Sequence, residues 1–214
     1  MAVLSISRQF GAGGKTLGQR VAQRLGYEFV DETLLHKVAE EANVSLKWVE
    51  GVQREAGGRL MRILSTIVPS SFIDRHLGES GSDFDEKRYV EFLTRIVEDL
   101  AAEDNVVILG RGSQFILRHT PATLRVLLVA ERADRIKFME RNYNLTADRA
   151  ESMVNRESRK RERFLGNFYK GNPNDPSLYH MVINTSLLSL DAADEQITEL
   201  VLGAVDATAE PIWD

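Results

Sequence analysis

In the stretch SISRQFGAGGKTLG (5–18), Gly11, Ala12, Gly13 and Gly14 fall between an apolar run and a helical pattern, with Lys15 and Thr16 directly after them. Residues of these types at this spacing can hold a phosphate. Glycines admit backbone angles and close approach that a Cβ would block, and the start of the following helix adds positive potential to the curled N–H groups. In the pattern G-x-x-x-x-G-K-[ST] the lysine reaches the terminal phosphates and the hydroxyl coordinates magnesium. Giving Lys15 and Thr16 those roles makes Gly14 the second glycine and puts Gln9 where the first should stand. The bland alternative is a strand-to-helix turn that binds nothing. The loop's place after the first strand, together with Lys15 and Thr16, favours phosphate binding over it.

A second constellation is cationic. Arg149, Arg156, Arg159, Lys160 and Arg163 recur at spacings of three, four and seven, so several can face one way on a helix. Phosphoryl transfer spreads negative charge over the moving group, and guanidinium groups meet it with two N–H donors and a permanent charge. Arg156, Arg159 and Arg163 are the candidates for that work. Glu151, Glu157 and Glu162 interleave with them, as they would on an ordinary solvated face. His36, His76, His119 and His180 show no metal-ligand spacing, so packing or surface roles suit them better. Tyr143, Phe168 and Tyr169 could stack on a base, although aromatics at helix ends more often pack.

These residues need elements to place them. Short apolar runs rich in β-branched residues occur at Val3 to Ser7, Tyr27 to Asp31, Val106 to Leu109, Leu124 to Val129 and Met181 to Asn184. Most are separated by helical segments, which argues for a parallel sheet with helical crossovers. Leu17, Val21, Ala22 and Leu25 mark a helix after the glycine loop, and Leu34, Leu35, Val38, Ala39 and Ala42 a second. A third stripe runs from Tyr89 to Leu100, one helix ends near Asn142, another starts at an N-cap Thr146, and the last spans about Asp191 to Val205. The region from about 44 to 85 breaks the alternation with Gly57, Gly58, Pro69 and GESGSD, and reads as a helical insertion. Its apolar LMRILSTIV reads as core, or as a contact between subunits of a homo-oligomer.

Composition bounds the answer. With 214 residues, 43% hydrophobic and 28% charged, the chain suits a single domain over 1–214. A net charge of −5 argues against a nucleic-acid partner, which needs a clustered positive field. There is no cysteine, which removes disulfides, thiolate metal sites and a cysteine nucleophile. No basic leader precedes an apolar core, and no apolar run approaches the roughly 20 residues that span a bilayer. The expectation is therefore a cytoplasmic protein with no membrane partner.

Four stretches in order, ISRQFGAGGKTLG, YEFVDETLL, VVILGRGSQFIL and VLLVAERADRIKFM leading into NRESRKRERF, resemble the cytidylate kinase-like family of nucleoside monophosphate kinases. The likeness extends to HMVINTSLLSLDAADEQI, and so covers nearly the whole chain. It implies an α/β, three-layer P-loop kinase fold with a five-stranded parallel sheet, a helical acceptor-binding insertion and a basic helical lid over about 146–172. It also implies transfer of the terminal phosphoryl group of ATP to a nucleoside monophosphate, CMP or dCMP foremost, with Mg2+.

Carried over by position, the resemblance gives Arg8, Gly11, Ala12, Gly13, Gly14, Lys15 and Thr16 to the donor nucleotide, with Thr16 beside magnesium. Asp31, Lys37 and Arg111 fall to the acceptor, while Lys15 with Arg156, Arg159 and Arg163 would serve the transfer. An ungapped match on GAG puts Gly14 at the family's lysine position and Lys15 one place later, so either Lys15 or Arg8 supplies that charge. Leu109 and Gly112 stand where cytidylate kinases flank the arginine with aspartates. Two further readings follow from those departures: a nucleotide-binding regulatory protein with weak catalysis, or a P-loop kinase of another small metabolite.

Overall fold

A computed structural model describes residues 2–31 and 86–206. The expected insertion at about 44–85, the second helical stripe and Lys37 lie outside the described residues. Elements are numbered here among those described. Strand β1 (Val3–Arg8) leads through the glycine loop into α1 (Gly14–Leu25), then β2 (Glu28–Val30). After α2 (Glu86–Ala102) come β3 (Val106–Leu109), the short α3 (Ser113–Ile116) and β4 (Thr123–Val129). A helical hairpin, α4 (Arg132–Tyr143) and α5 (Ala147–Leu165), precedes a 3-10 turn (Pro176–Leu178), β5 (Met181–Asn184) and α6 (Leu190–Asp206).

The five strands form one parallel sheet in the order β2-β3-β1-β4-β5. This is the sheet expected from the β-branched runs, with each strand within a residue or two of its expected place. Burial on both faces explains the continuous apolar runs. Leu4 and Ile6 of β1 face Leu17, Val21 and Ala22 of α1 and Ile197 and Val201 of α6 in one cluster. Val3, Val106 and Ile108 face Leu93, Ile96, Val97 and Leu100 of α2 in the other. Alternate residues of a strand serve opposite layers, which gives the three-layer architecture.

Because β1 has β3 on one side and β4 on the other, its C-terminal end is where the chain's crossovers diverge. A crevice at such an end is where open parallel sheets bind ligands. The α4–α5 hairpin closes over it through a satellite cluster of Met139, Ala150 and Val154 with Phe10 of the glycine loop. Among the described residues, no helix is long and apolar enough to cross a membrane.

Candidate active site

The glycine loop sits at that end of β1. Gly11 and Gly13 take φ of +87° and +79°, which costs a glycine little and would strain other residues. Helix α1 opens at Gly13 with no side-chain cap and no acidic residue in its first turn. Its N-terminal amides and dipole are thus left to whatever anion enters. Gln9, the departure from the usual loop pattern, works as a tether: its side-chain oxygen accepts from the Ala130 N–H at 3.0 Å. Thr185 fastens the other limb, donating to the carbonyls of Ala12 and Val129 at 3.2 and 3.3 Å. The loop is therefore held from β4 and from the exit of β5.

Lys15 points its ammonium at Asp31, 2.8 Å from Oδ2, with Asp31 largely buried and Lys15 half-exposed. Thr16 shares a cavity of about 330 Å³ with Gly11, Gly13, Gly14, Lys15 and Asp31, closed by Phe138, Met139, Tyr143 and Met153. Magnesium prefers oxygen ligands and keeps several waters while bridging phosphates. One hydroxyl beside the glycine loop, with a carboxylate in the same cavity, fits that preference. Among the described residues, no cluster of three or more His, Cys, Asp or Glu offers a cage of its own.

Arg8 crosses from this cavity to the next. Its side chain passes so close to Gly14 and Gly110 that a Cβ there would lie 2.8 Å from its Cγ and 2.1 Å from its Nη1. The second cavity, about 300 Å³, is lined by Ser7, Arg8, Phe10, Arg111, Gln114, Lys160, Arg161 and Phe164 among others. Gly110, Arg111 and Gly112 all take positive φ, at +78°, +55° and +75°. That turn drops Arg111 over the Phe164 ring, 5.4 Å from its centroid, a cation–π contact. Gly112 is pressed against Phe168, where a Cβ would meet the ring at 2.9 Å.

The residue that sequence reading passed over is Arg161. It donates to Ser7 Oγ and to Asn174 Oδ1, each at 3.0 Å, and so pins α5 to the end of β1. Burial pushes its pKa down; Tyr179 and Glu162 oppose this, while Arg8 and Arg135 push the same way. A guanidinium stays charged regardless, so the crowding of Arg8, Arg135 and Arg161 is repulsion that an anion relieves. Arg135, half-buried, reaches Ser158 Oγ at 3.3 Å and packs its backbone against Gly11. By contrast Arg156, Arg159 and Arg163 are exposed, and Arg156 pairs with Glu157 at 2.8 Å. A signal for Arg161 did exist. It falls four residues before Leu165 and seven after Val154, in register with the buried stripe of α5.

Tyr143 lines the glycine-loop cavity. Tyr169 stacks on Phe115 with centroids 4.9 Å apart, and Phe168 packs edge-on against Phe164 at 5.3 Å, so both are packing residues.

Comparison with known proteins places this geometry. The model of the cytidylate kinase-like family matches residues 3–187. A curated relative, the cytidylate kinase of Pyrococcus horikoshii, is 28% identical over 99% of this chain and 92% of its own. Among solved structures, an uncharacterized protein from Eubacterium ventriosum superposes with a TM-score of 0.67 at 15% identity, covering 94% of this chain and 98% of its own. That second likeness is one of fold.

Proposed function

The chain belongs to the cytidylate kinase-like family, and on that premise we propose that it uses ATP to phosphorylate a nucleoside monophosphate, CMP or dCMP foremost. One observation carries the reading. Two adjoining cavities share Arg8 and Phe10, one built on the glycine loop and the start of α1, the other walled by cations.

In this reading the amides of Gly11 to Thr16 hold the donor phosphates, and Lys15 joins them on leaving Asp31. Thr16 is the residue that would hold magnesium, whose charge would offset that of the donor phosphates. Arg111, with Lys37, binds the acceptor phosphate, and Asp31, which lines the adjoining glycine-loop cavity, orients the acceptor. An acceptor phosphate oxygen attacks the terminal phosphorus of ATP; that P–O bond forms as the bond to the bridging oxygen breaks, and ADP leaves with the electron pair. Arg8 and Arg161 stand where charge spreads over the group in transit, and their fixed positions lower the reorganisation needed. Arg156, Arg159 and Arg163 stand at the rim of the hairpin and serve when it closes and excludes water.

A panel of nucleoside monophosphates with magnesium and ATP, scored for ADP and nucleoside diphosphate, tests this directly. CMP and dCMP should give the highest kcat/KM. If ATP binds and no acceptor turns over, the kinase reading fails. The Lys15–Asp31 pair favours one second reading, a nucleotide binder with weak catalysis, because it commits the lysine's charge to a carboxylate. Tight binding of ATP that is indifferent to magnesium would support that reading instead.

A further inference from the structure

Gln114 is 2% exposed and lines the cavity walled by Arg8, Arg111, Lys160 and Arg161. Neither its Nε2 nor its Oε1 has a hydrogen-bond partner. A buried carboxamide without partners is a cost that a fold retains only for a reason. Its surroundings do not supply one. The Tyr179 hydroxyl lies near enough to the Gln114 carboxamide for it to help hold down a pKa that burial raises, but the two do not meet in hydrogen-bond geometry, and the hydroxyl donates to the Pro173 carbonyl at 2.5 Å. Arg161 gives its N–H groups to Ser7 and Asn174. Position is fixed as well, since α3 is anchored beneath the sheet by the buried Ser5–Ser113 hydrogen bond of 2.7 Å.

The chemistry of the lining decides what completes it. One carboxylate, Glu157, also lines the cavity and is engaged by Arg156 and Lys160; against it stand three guanidinium groups, which only donate, so the lining is cationic on balance and suits a group that only accepts. An oxyanion is such a group. We propose that Gln114 is a substrate-binding residue whose Nε2 donates to a phosphoryl oxygen of the acceptor, seating the acceptor's own phosphate in this cavity. Its Oε1 then takes an N–H from a guanidinium drawn in by the same anion. The assignment of that anion as the acceptor's rests on the phosphotransfer reading above. It makes the nucleophile an existing phosphate and excludes a neutral alcohol as acceptor.

Gln114→Glu keeps the size and shape but replaces the donor with an anion, and Gln114→Met keeps the length without any donor. Both are compared with wild type for calorimetric binding of inorganic phosphate, with a non-hydrolysable ATP analogue and magnesium filling the glycine loop. KM for CMP, KM for ATP and melting temperature complete the comparison. The expected result is phosphate binding weakened about tenfold or more in Gln114→Glu and less in Gln114→Met. KM for CMP should rise in step, and KM for ATP should stay within about twofold of wild type. Should the glutamate fail to fold, the methionine variant carries the same comparison. Wild-type phosphate affinity in the variants, with only the melting temperature lowered, overturns the proposal in favour of a packing role. Absence of saturable phosphate binding in wild type also overturns it. If wild type phosphorylates no monophosphate yet the variants still lose phosphate binding, the kinase reading falls and the Gln114 site stands.

Discussion

Arg161 keeps its charge at an inward position of α5, where the helix otherwise turns Ala150, Val154 and Leu165 to the protein. Desolvating a guanidinium there is offset by hydrogen bonds to Ser7 and Asn174, each about 1.5–3 kcal/mol when one partner is charged. Arg161→Met retains the apolar stem and removes the charge. It should lower kcat about 10²- to 10³-fold, the range seen when one fixed transition-state donor is lost, and lower stability measurably. Arg163→Met, at an exposed position that serves only once the hairpin has closed, should lower kcat by a smaller factor than Arg161→Met, and an unchanged kcat would remove it from the transfer. Equal losses in the two variants would mean that the hairpin closes further over its ligands. Gln9 illustrates the opposite lesson. As a break in a motif it looks like a defect, yet its carboxamide is the tie between the loop and β4. Lys15, which fits the motif, is the residue whose charge is committed to Asp31.

Between elements, the β4–β5 edge carries a pH-sensitive tie. The Arg125 N–H donates to His180 Nδ1 at 3.0 Å, so the ring serves as an acceptor and must be neutral at that nitrogen. Burial first, and the Arg125 charge second, hold the His180 pKa below its ordinary 6.5. The folded chain thus binds this proton less readily than the unfolded one. Its contribution to stability is full above about pH 6.5 and is lost as pH falls from there through the lowered folded value. Melting temperature measured from about pH 7.5 to 5.5 should fall more in wild type than in His180→Gln, which keeps an acceptor and does not titrate. Parallel curves would remove His180 from the account. The exposed ring makes the difference small. The Gly110-Arg111-Gly112 turn shows a stricter demand, since Arg8 and Phe168 occupy the space a Cβ at either glycine would need.

Across the whole molecule, a chain of net charge −5 gathers Arg8, Arg111, Lys160 and Arg161 around one cavity. Charge so arranged draws small anions to the cleft without making the surface basic. CMP and a non-hydrolysable ATP analogue, each near 100 times its Kd, should stabilise the fold by about 2.7 kcal/mol per ligand. At this chain length that is a rise of about 5–10 °C in melting temperature for each, smaller at high salt. No rise with either ligand would count against nucleotide binding altogether. The sequence by itself determined the five strands, the glycine loop and, among the described residues, the helical segments that accompany them, because periodicity and turn chemistry act over neighbouring residues. It also determined that cations are abundant near 149–163. Only the tertiary structure decided which of them enters the site. Arg161 meets Ser7 across 154 residues of chain and Gln9 meets Ala130 across 121. Such pairs are set by parallel crossovers that bring the ends of β1, β3 and β4 together, and no local pattern records which side chains those ends will face.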